Sequence, residues 1–266
     1  MAALHGVGVL VTRPEQQAMP LCRLLEKQGA STLRLPAIEI KACKAMGEGR
    51  RETAARLGAL ENFDIIIFTS ANAVRFGAAL LDRKRDLTLA AMGPATAREL
   101  NQAGYRVAVQ PPQTFDSESL LLHPTLERPA GRRILIIKGA DGRAFLGQEL
   151  AQRGAQVTTA DVYQRVPAAP SQAILVALLE RFSEGALQVV TATSVDIARS
   201  LLGMASPALR REFERVHWLV PGARVAAGVR ECGLSAPLLQ AESAEDQDLV
   251  AALLRWRSST SSASGA

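Results

Sequence analysis

Aromatic side chains make up only 4% of this 266-residue chain, too few to furnish the exposed rings that a base-stacking surface needs. Cysteine is equally sparse. Cys22, Cys43 and Cys232 lie far apart, which argues against a disulfide framework or a metal knuckle and leaves reduced, structural thiols. The histidines His5, His123 and His217 are isolated too, and a structural role is expected of each. No block of five or six basic residues marks a nucleic-acid arm. The start, Met1-Ala2-Ala3-Leu4-His5, carries no basic region or cleavage-type segment, and the apolar run Val7–Val11 is far too short to cross a membrane. A cytoplasmic protein with neither nucleic-acid nor membrane partners is therefore expected. Standard site signatures are missing as well. There is no G-x-x-x-x-G-K-S/T loop, and Gly6-Val7-Gly8 precedes its strand rather than following it. No H-x-x-x-H pair, C-x-x-C pair or G-x-S-x-G elbow occurs.

What is present is an ordinary globular balance, 48% hydrophobic and 21% charged residues. The length suits two domains of about 100–150 residues better than one. The net charge of +5 comes from 31 Lys and Arg against 26 Asp and Glu, scattered along the chain. It serves solubility, or it marks a cleft that attracts an anionic ligand.

A repeat runs the length of the sequence. Val7–Val11 reads as a strand, and Leu21, Leu24 and Leu25 then share a helix face closed by Gly29. Ile134–Ile137, Leu146, Leu150 and Gly154 repeat that unit. Asp64–Phe68, followed by Thr69-Ser70-Ala71-Asn72 and a helix to about Leu81, recurs as Leu187–Val190, Thr191-Ala192-Thr193-Ser194 and a helix to about Leu202, with Ser70 set against Thr193. Gly93, Gly104 and Leu120 match Gly222, Gly233 and Leu249. All these spacings are roughly 125 residues.

Each copy supplies strand–helix units, which predicts an α/β protein of two similar lobes, each a parallel sheet flanked by helices, with the working site in the cleft between them. The extended stretches Pro36–Ile40 and Asp161–Arg165 occupy equivalent repeat positions. If they pair as a two-stranded antiparallel ribbon between lobes, the first unit of each copy passes to the opposite lobe. One lobe is then discontinuous, 1–35 with 169–256; the other is 45–160; the ribbon is 36–44 with 161–168. The unswapped arrangement is open as well. The Ser-rich tail, 257–266, reads as disordered.

Ligands of parallel α/β sheets bind beyond the carboxyl ends of strands. That rule selects Thr12-Arg13-Pro14, Thr69-Ser70-Ala71-Asn72, Gly93-Pro94-Ala95-Thr96, Lys138-Gly139 through Arg143, Thr193-Ser194 and Gly222-Ala223-Arg224. Small residues there let backbone N–H groups approach a ligand, and Arg13, Lys138 and Arg224 add positive charge, which suits carboxylates or phosphates. The same residues also serve as helix caps and tight turns. Tyr163, one of two tyrosines, reads as a general acid or as a packing residue.

Val11-Thr12-Arg13-Pro14, Phe68-Thr69-Ser70-Ala71-Asn72-Ala73-Val74, Gly93-Pro94-Ala95-Thr96-Ala97, Ile137-Lys138-Gly139 and Val162-Tyr163-Gln164-Arg165, in this order and at these spacings, resemble the uroporphyrinogen-III synthase family over about 7–254. The resemblance implies two α/β lobes joined by a ribbon and no metal or organic cofactor. It implies closure of the linear tetrapyrrole hydroxymethylbilane to a macrocycle, with inversion of ring D through a spiro intermediate. The substrate's carboxylates, ionised at pH 7 because such groups titrate at about 4, suit the loops above. Arg13, Thr69, Ser70, Ala71, Asn72, Gly93, Lys138, Gly139, Thr193, Ser194, Gly222 and Arg224 are the expected substrate contacts. Tyr163, with Thr96 as a nearby donor, is expected to assist the departing hydroxyl. Val225 stands where the first copy has Thr96, so the second copy departs from the pattern. A monomer is expected, with a transient contact to the preceding pathway enzyme as a further expectation. The rival reading is a two-lobed cytoplasmic binding protein for an anionic small molecule; a nucleotide-dependent enzyme is disfavoured by the missing phosphate loops.

Overall fold

The computed structural model describes residues 2–43, 63–81, 88–112 and 114–263. The chain separates into two compact units, Met1–Glu39 with Val166–Ala266, and Ile40–Arg165. The expected lobe start at 45 and ribbon end at 44 lie outside the described residues.

The first unit opens with β1 (Gly8–Val11), α1 (Glu15–Lys27) and β2 (Ser31–Arg34), and the chain leaves through β3 (Ile38–Ala42). All of β1 is buried, as an interior parallel strand covered on both faces must be. Ala18, Leu21, Cys22 and Leu25 form the buried stripe of α1 at helical spacing. The helix stops at Gly29, whose φ of 88° is left-handed. There the Gly29 N–H donates to the Glu26 carbonyl and the Ala30 N–H to the Leu25 carbonyl, a double closure that needs a residue without Cβ strain. Gly154, its repeat mate, has φ 87° and the same pair of bonds onto Ala151 and Leu150.

The second unit contains β4 (Ile65–Phe68), α2 (Ala71–Gly77) with a 3-10 turn at Ala78–Leu80, β5 (Thr88–Ala91), α3 (Pro94–Gln102), α4 (Ser117–Leu120), α5 (Pro124–Glu127), β6 (Arg133–Gly139), α6 (Phe145–Gln152) and β7 (Gln156–Pro167). The chain then returns to the first unit with α7 (Gln172–Ser183), β8 (Val189–Thr191), α8 (Val195–Met204), α9 (Pro207–Arg215), β9 (His217–Pro221), α10 (Gly222–Glu231), β10 (Leu238–Ala241) and α11 (Asp246–Ala263).

Strand order in the first sheet is β10-β9-β8-β1-β2, and every pairing is parallel. Because β1 pairs with β8 (Leu10 opposite Val190), the first strand–helix unit completes the sheet of the last third of the chain. The unswapped arrangement is thereby excluded. In the second sheet, β3-β7-β6-β4-β5, the pairs of β4, β5, β6 and β7 are parallel. β3 runs the other way along β7: the Cys43 N–H donates to Val162 and the Ala168 N–H to Ala37.

One expectation needs correction. Residues 257–263 belong to α11 rather than to a disordered tail. The hydroxyls of Ser258, Ser259 and Thr260 donate to the carbonyls of Arg255, Trp256 and Arg257, so a polar sequence is absorbed by its own helix; 264–266 lie outside the described residues. The helix beginning at Ala71 ends in its 3-10 turn by Leu80. Among the described residues, no helix is long and apolar enough to cross a membrane.

The first sheet is tied at its carboxyl end by two buried threonines. The Thr12 N–H donates to Thr191 Oγ1 at 3.2 Å, the Thr12 hydroxyl to the Thr191 carbonyl, and the Thr191 hydroxyl to the Leu10 carbonyl at 3.3 Å. At the other end Gly8 has no room for a side chain, since a methyl group would overlap the Ala186 carbonyl oxygen. His217, half-buried, tilts at 52° over Trp256 with ring centroids 4.9 Å apart, and burial holds its imidazole below the ordinary histidine value.

Gly8→Ala is expected to lower stability by at least the roughly 1–3 kcal/mol typical of overpacking, read as a lower urea midpoint with the slope unchanged. The histidine gives a second expectation. The folded state resists protonating His217, so its contribution is present above the unfolded value of about 6.5 and is lost as pH falls through and below it. Urea midpoints measured across that range should fall more steeply for the natural protein than for His217→Phe; equal slopes would show that this imidazole does not govern the acid branch.

Candidate active site

The four parallel strands of the second unit deliver their carboxyl ends to one edge, where a strand gives way to loop and backbone groups become free for a ligand. Thr69 and Ser70 follow β4. The Thr69 N–H and hydroxyl both donate to the Ile137 carbonyl, at 3.1 and 3.4 Å, locking this loop to β6. Ser70 caps α2 by accepting from the Ala73 N–H at 3.1 Å. The same Oγ stands 3.1 Å from the Tyr163 hydroxyl.

Tyr163 is placed by three neighbours. Its ring stacks on Phe76 at 6.0 Å, and only 6% of the residue is exposed. The register between β6 and β7 shifts at Lys138/Gly139, bringing Gly139 opposite Tyr163, and the Ala140 N–H donates to the Tyr163 carbonyl at 2.8 Å. A Cβ on Gly139 would lie 2.6 Å from Tyr163 Cζ and 2.9 Å from its hydroxyl oxygen. The glycine therefore sets how close the phenol comes to the loop.

Thr69, Ser70, Lys138, Gly139 and Tyr163 line one cavity of about 710 Å³, within the usual range for small-molecule sites. Arg143 and Arg165 add positive charge to its wall, and Ile136, Leu146 and Val157 form an apolar side. Lys138 does not stand free. Its Nζ lies 2.9 Å from an Asp161 oxygen and donates to the Gly139 and Gly142 carbonyls at 3.3 and 3.4 Å, bracing the turn. Arg143 faces Glu118 at 3.4 Å, and both are exposed. Asp116 is the acidic member of the wall. The Ser119 N–H and then the Thr114 hydroxyl donate to its carboxylate, at 2.7 and 2.8 Å, and hold its carboxyl below the usual value. Nearby, burial pushes the Cys43 thiol up, with Asp161 and Asp141 adding to the effect and Lys138 opposing it. Such a thiol stays protonated and unreactive at neutral pH.

Ala71, Asn72, Gly93 and Thr96 sit on the same edge but outside the cavity wall. Asn72 is buried in the first turn of α2, Gly93 caps α3, and Thr96, 4% exposed, faces inward from the first turn of α3.

In the first unit the expected contacts follow strands of that unit's own sheet. Arg13 is the clearest departure. It is 8% exposed, and its guanidinium is held by the Asp246 carboxylate and the Ala244 carbonyl at the start of α11. Its charge is engaged by these two groups at the start of the last helix. Ser194, rather than Thr193, is the counterpart of Ser70: it caps α8, its Oγ accepting from the Ile197 N–H at 3.3 Å. The repeat thus aligns Thr69-Ser70 with Thr193-Ser194, one residue from the pairing the sequence suggested. Gly222 opens α10 with φ 64°, and Arg224 is exposed.

Phe115, Asp116 and Arg165 also line the cavity and are not among the expected contacts. For Asp116 a signal existed, an Asp three residues before a serine at the start of a short apolar run. For Phe115 there was none.

A family model described as uroporphyrinogen-III synthase HemD matches residues 20–251. The uroporphyrinogen-III synthase of Escherichia coli K12 is 30% identical over 261 residues, covering 93% of this chain and 100% of that protein. The Salmonella typhimurium protein of the same name is 34% identical over 164 residues, 60% of this chain and 65% of its own. Among solved structures, the uroporphyrinogen-III synthetase of Helicobacter pylori shares the fold at a TM-score of 0.57 and 15% identity, covering 94% of this chain and 99% of that one. A mutant synthase from Thermus thermophilus does so at 0.54 and 23% identity, covering 94% and 98%. With a family match over most of its length and a relative aligned from end to end, this chain belongs to the uroporphyrinogen-III synthase family.

Proposed function

We infer that this chain closes hydroxymethylbilane to uroporphyrinogen III, inverting ring D, as an enzyme of haem biosynthesis. The observation that carries the residue assignment is the 3.1 Å contact between Ser70 Oγ and the Tyr163 hydroxyl in the wall of a cavity that also carries Lys138, Arg143 and Arg165. The competing reading, a two-lobed binding protein for an anionic small molecule, is not favoured by membership of a synthase family.

The chemistry begins with a poor leaving group. Hydroxide departs slowly, whereas water departs readily, so a donor at the hydroxymethyl oxygen lowers the barrier. Ser70 Oγ already accepts from the Ala73 N–H. It then offers its own proton to the Tyr163 oxygen, which leaves the phenolic O–H free to point into the cavity. As the C–O bond breaks, the pyrrole nitrogen of the terminal ring supplies the electron pair, and an azafulvenium cation forms. The substituted carbon of ring D attacks it, making a C–C bond and the spiro intermediate. That intermediate breaks its other bond to the same carbon and recloses through the free carbon of ring D. The proton then lost from the ring balances the one Tyr163 gave, and the net change is loss of one water.

The unaided substrate closes to the non-inverted isomer, so the protein's main contribution is orientation. Arg143 and Arg165 meet substrate carboxylates by charge-assisted hydrogen bonds. Lys138 and Gly139 shape the turn that faces them. Thr69, Ala71, Asn72 and Gly93 keep the loop edge in place, and Thr96 supports the first turn of α3 from behind the wall. Thr193, Ser194, Gly222 and Arg224 offer similar chemistry on the first unit's own sheet, as further substrate contacts. The reading extends to a monomeric cytoplasmic protein that takes its unstable substrate from the preceding pathway enzyme.

Hydroxymethylbilane generated in situ should give predominantly type III porphyrin, after oxidation and chromatography, when this protein is present. Type I alone from folded protein would overturn the assignment. Tyr163→Phe should lower kcat by about tenfold, the scale of one hydrogen bond made in the transition state, with the type III product retained. An unchanged kcat would remove Tyr163 from the acid role.

A further inference from the structure

We propose that Phe115 is the seat for one pyrrole ring of the substrate and, by fixing that ring's orientation, a determinant of which isomer is formed; the proposal rests on the synthase reading above. The large rings of this chain are mostly core: Phe68, Phe182, Phe213 and Trp218 are all nearly or fully buried. Phe115 is 63% exposed and lines the cavity that holds Tyr163, Arg143 and Arg165. Phe145, the other exposed ring among the described residues, does not line it.

An exposed ring gains little from the burial that stabilises core aromatics, so folding does not account for a phenylalanine here. Its backbone, however, is held. Flanking residues Thr114 and Asp116 are joined by a 2.8 Å hydrogen bond, and Asp116 accepts from the Ser119 N–H at 2.7 Å. The root of the side chain rests on Gly93, where a Cβ would meet Phe115 Cβ at 3.4 Å and Cγ at 3.7 Å. The ring is thus mounted on a fixed turn with its outer part bare.

The ligand chemistry that fits is a flat, electron-rich ring bearing carboxylates. The ring stacks on the aromatic face or edge, and the guanidinium groups of the same wall take the carboxylates. Such a seat does more than add affinity. Spontaneous closure gives the non-inverted product, so any loss of control over ring orientation should leak flux into type I.

The test compares Phe115→Leu, which keeps apolar bulk, with Phe115→Tyr, which keeps the ring. Phe115→Leu should raise KM by roughly tenfold, increase the type I share of the product, and weaken binding of uroporphyrin III measured by its fluorescence. Phe115→Tyr should restore all three. Thermal unfolding should match the natural protein for both variants, because the side chain is mostly exposed. Natural-level KM, isomer ratio and porphyrin affinity in Phe115→Leu would overturn the proposal. A natural protein that yields only type I would instead overturn the synthase reading, and porphyrin affinity would still decide whether Phe115 is a ring seat.

Discussion

A Cβ at position 139 would lie 2.6 Å from Cζ of Tyr163, and much of the second unit's working edge follows from its absence. The register shift between β6 and β7 occurs at that residue, the phenol closes over it, and the hydroxyl reaches the serine that caps α2. Helix capping, strand pairing and placement of the candidate acid are therefore one problem with one solution. Without side-chain bulk at 139, the phenol reaches the capping serine across the shifted strand pair.

The repeat has a second physical signature. Arg13 and Lys138 occupy corresponding places at the end of the first strand of each copy, and each meets an aspartate of its own unit, Asp246 in one case and Asp161 in the other. A cation at the end of a buried strand is costly without a partner, and removing one member of such a pair leaves the other stranded. In both copies this charge holds local structure in place, an anchored helix or a braced glycine turn. Arg143 and Arg165 bring further positive charge to the cavity wall.

These pairings show where a linear reading succeeds and where it stops. Periodicity and left-handed glycines are local, so the strand–helix units and the caps at Gly29 and Gly154 were legible, while the exchange of the first unit was one of two arrangements the sequence allowed. The loops at strand ends were legible for the same reason, and Thr69, Ser70, Lys138, Gly139 and Tyr163 do meet in one wall. The partners of Arg13 were not legible because they stand 231 and 233 residues away, a distance no local pattern spans. The serine-rich end looked disordered because composition does not reveal hydroxyls turned back onto helix carbonyls. Phe115 carried no signal, since its meaning lies in exposure rather than in spacing.

The exchanged first unit bears on how the chain is made. Residues Ile40–Arg165 form one contiguous unit, whereas the first unit is assembled from two separate stretches. β1 must wait, because its neighbour β8 lies about 180 residues downstream, as the Thr191 hydroxyl bonded to the Leu10 carbonyl records. Until then an apolar strand, Gly8–Val11, has one parallel partner in β2 and an open edge, the kind of surface that invites wrong association. The first sheet thus joins the two ends of the chain, and its amino-terminal strand gains a second neighbour only once β8 has been made.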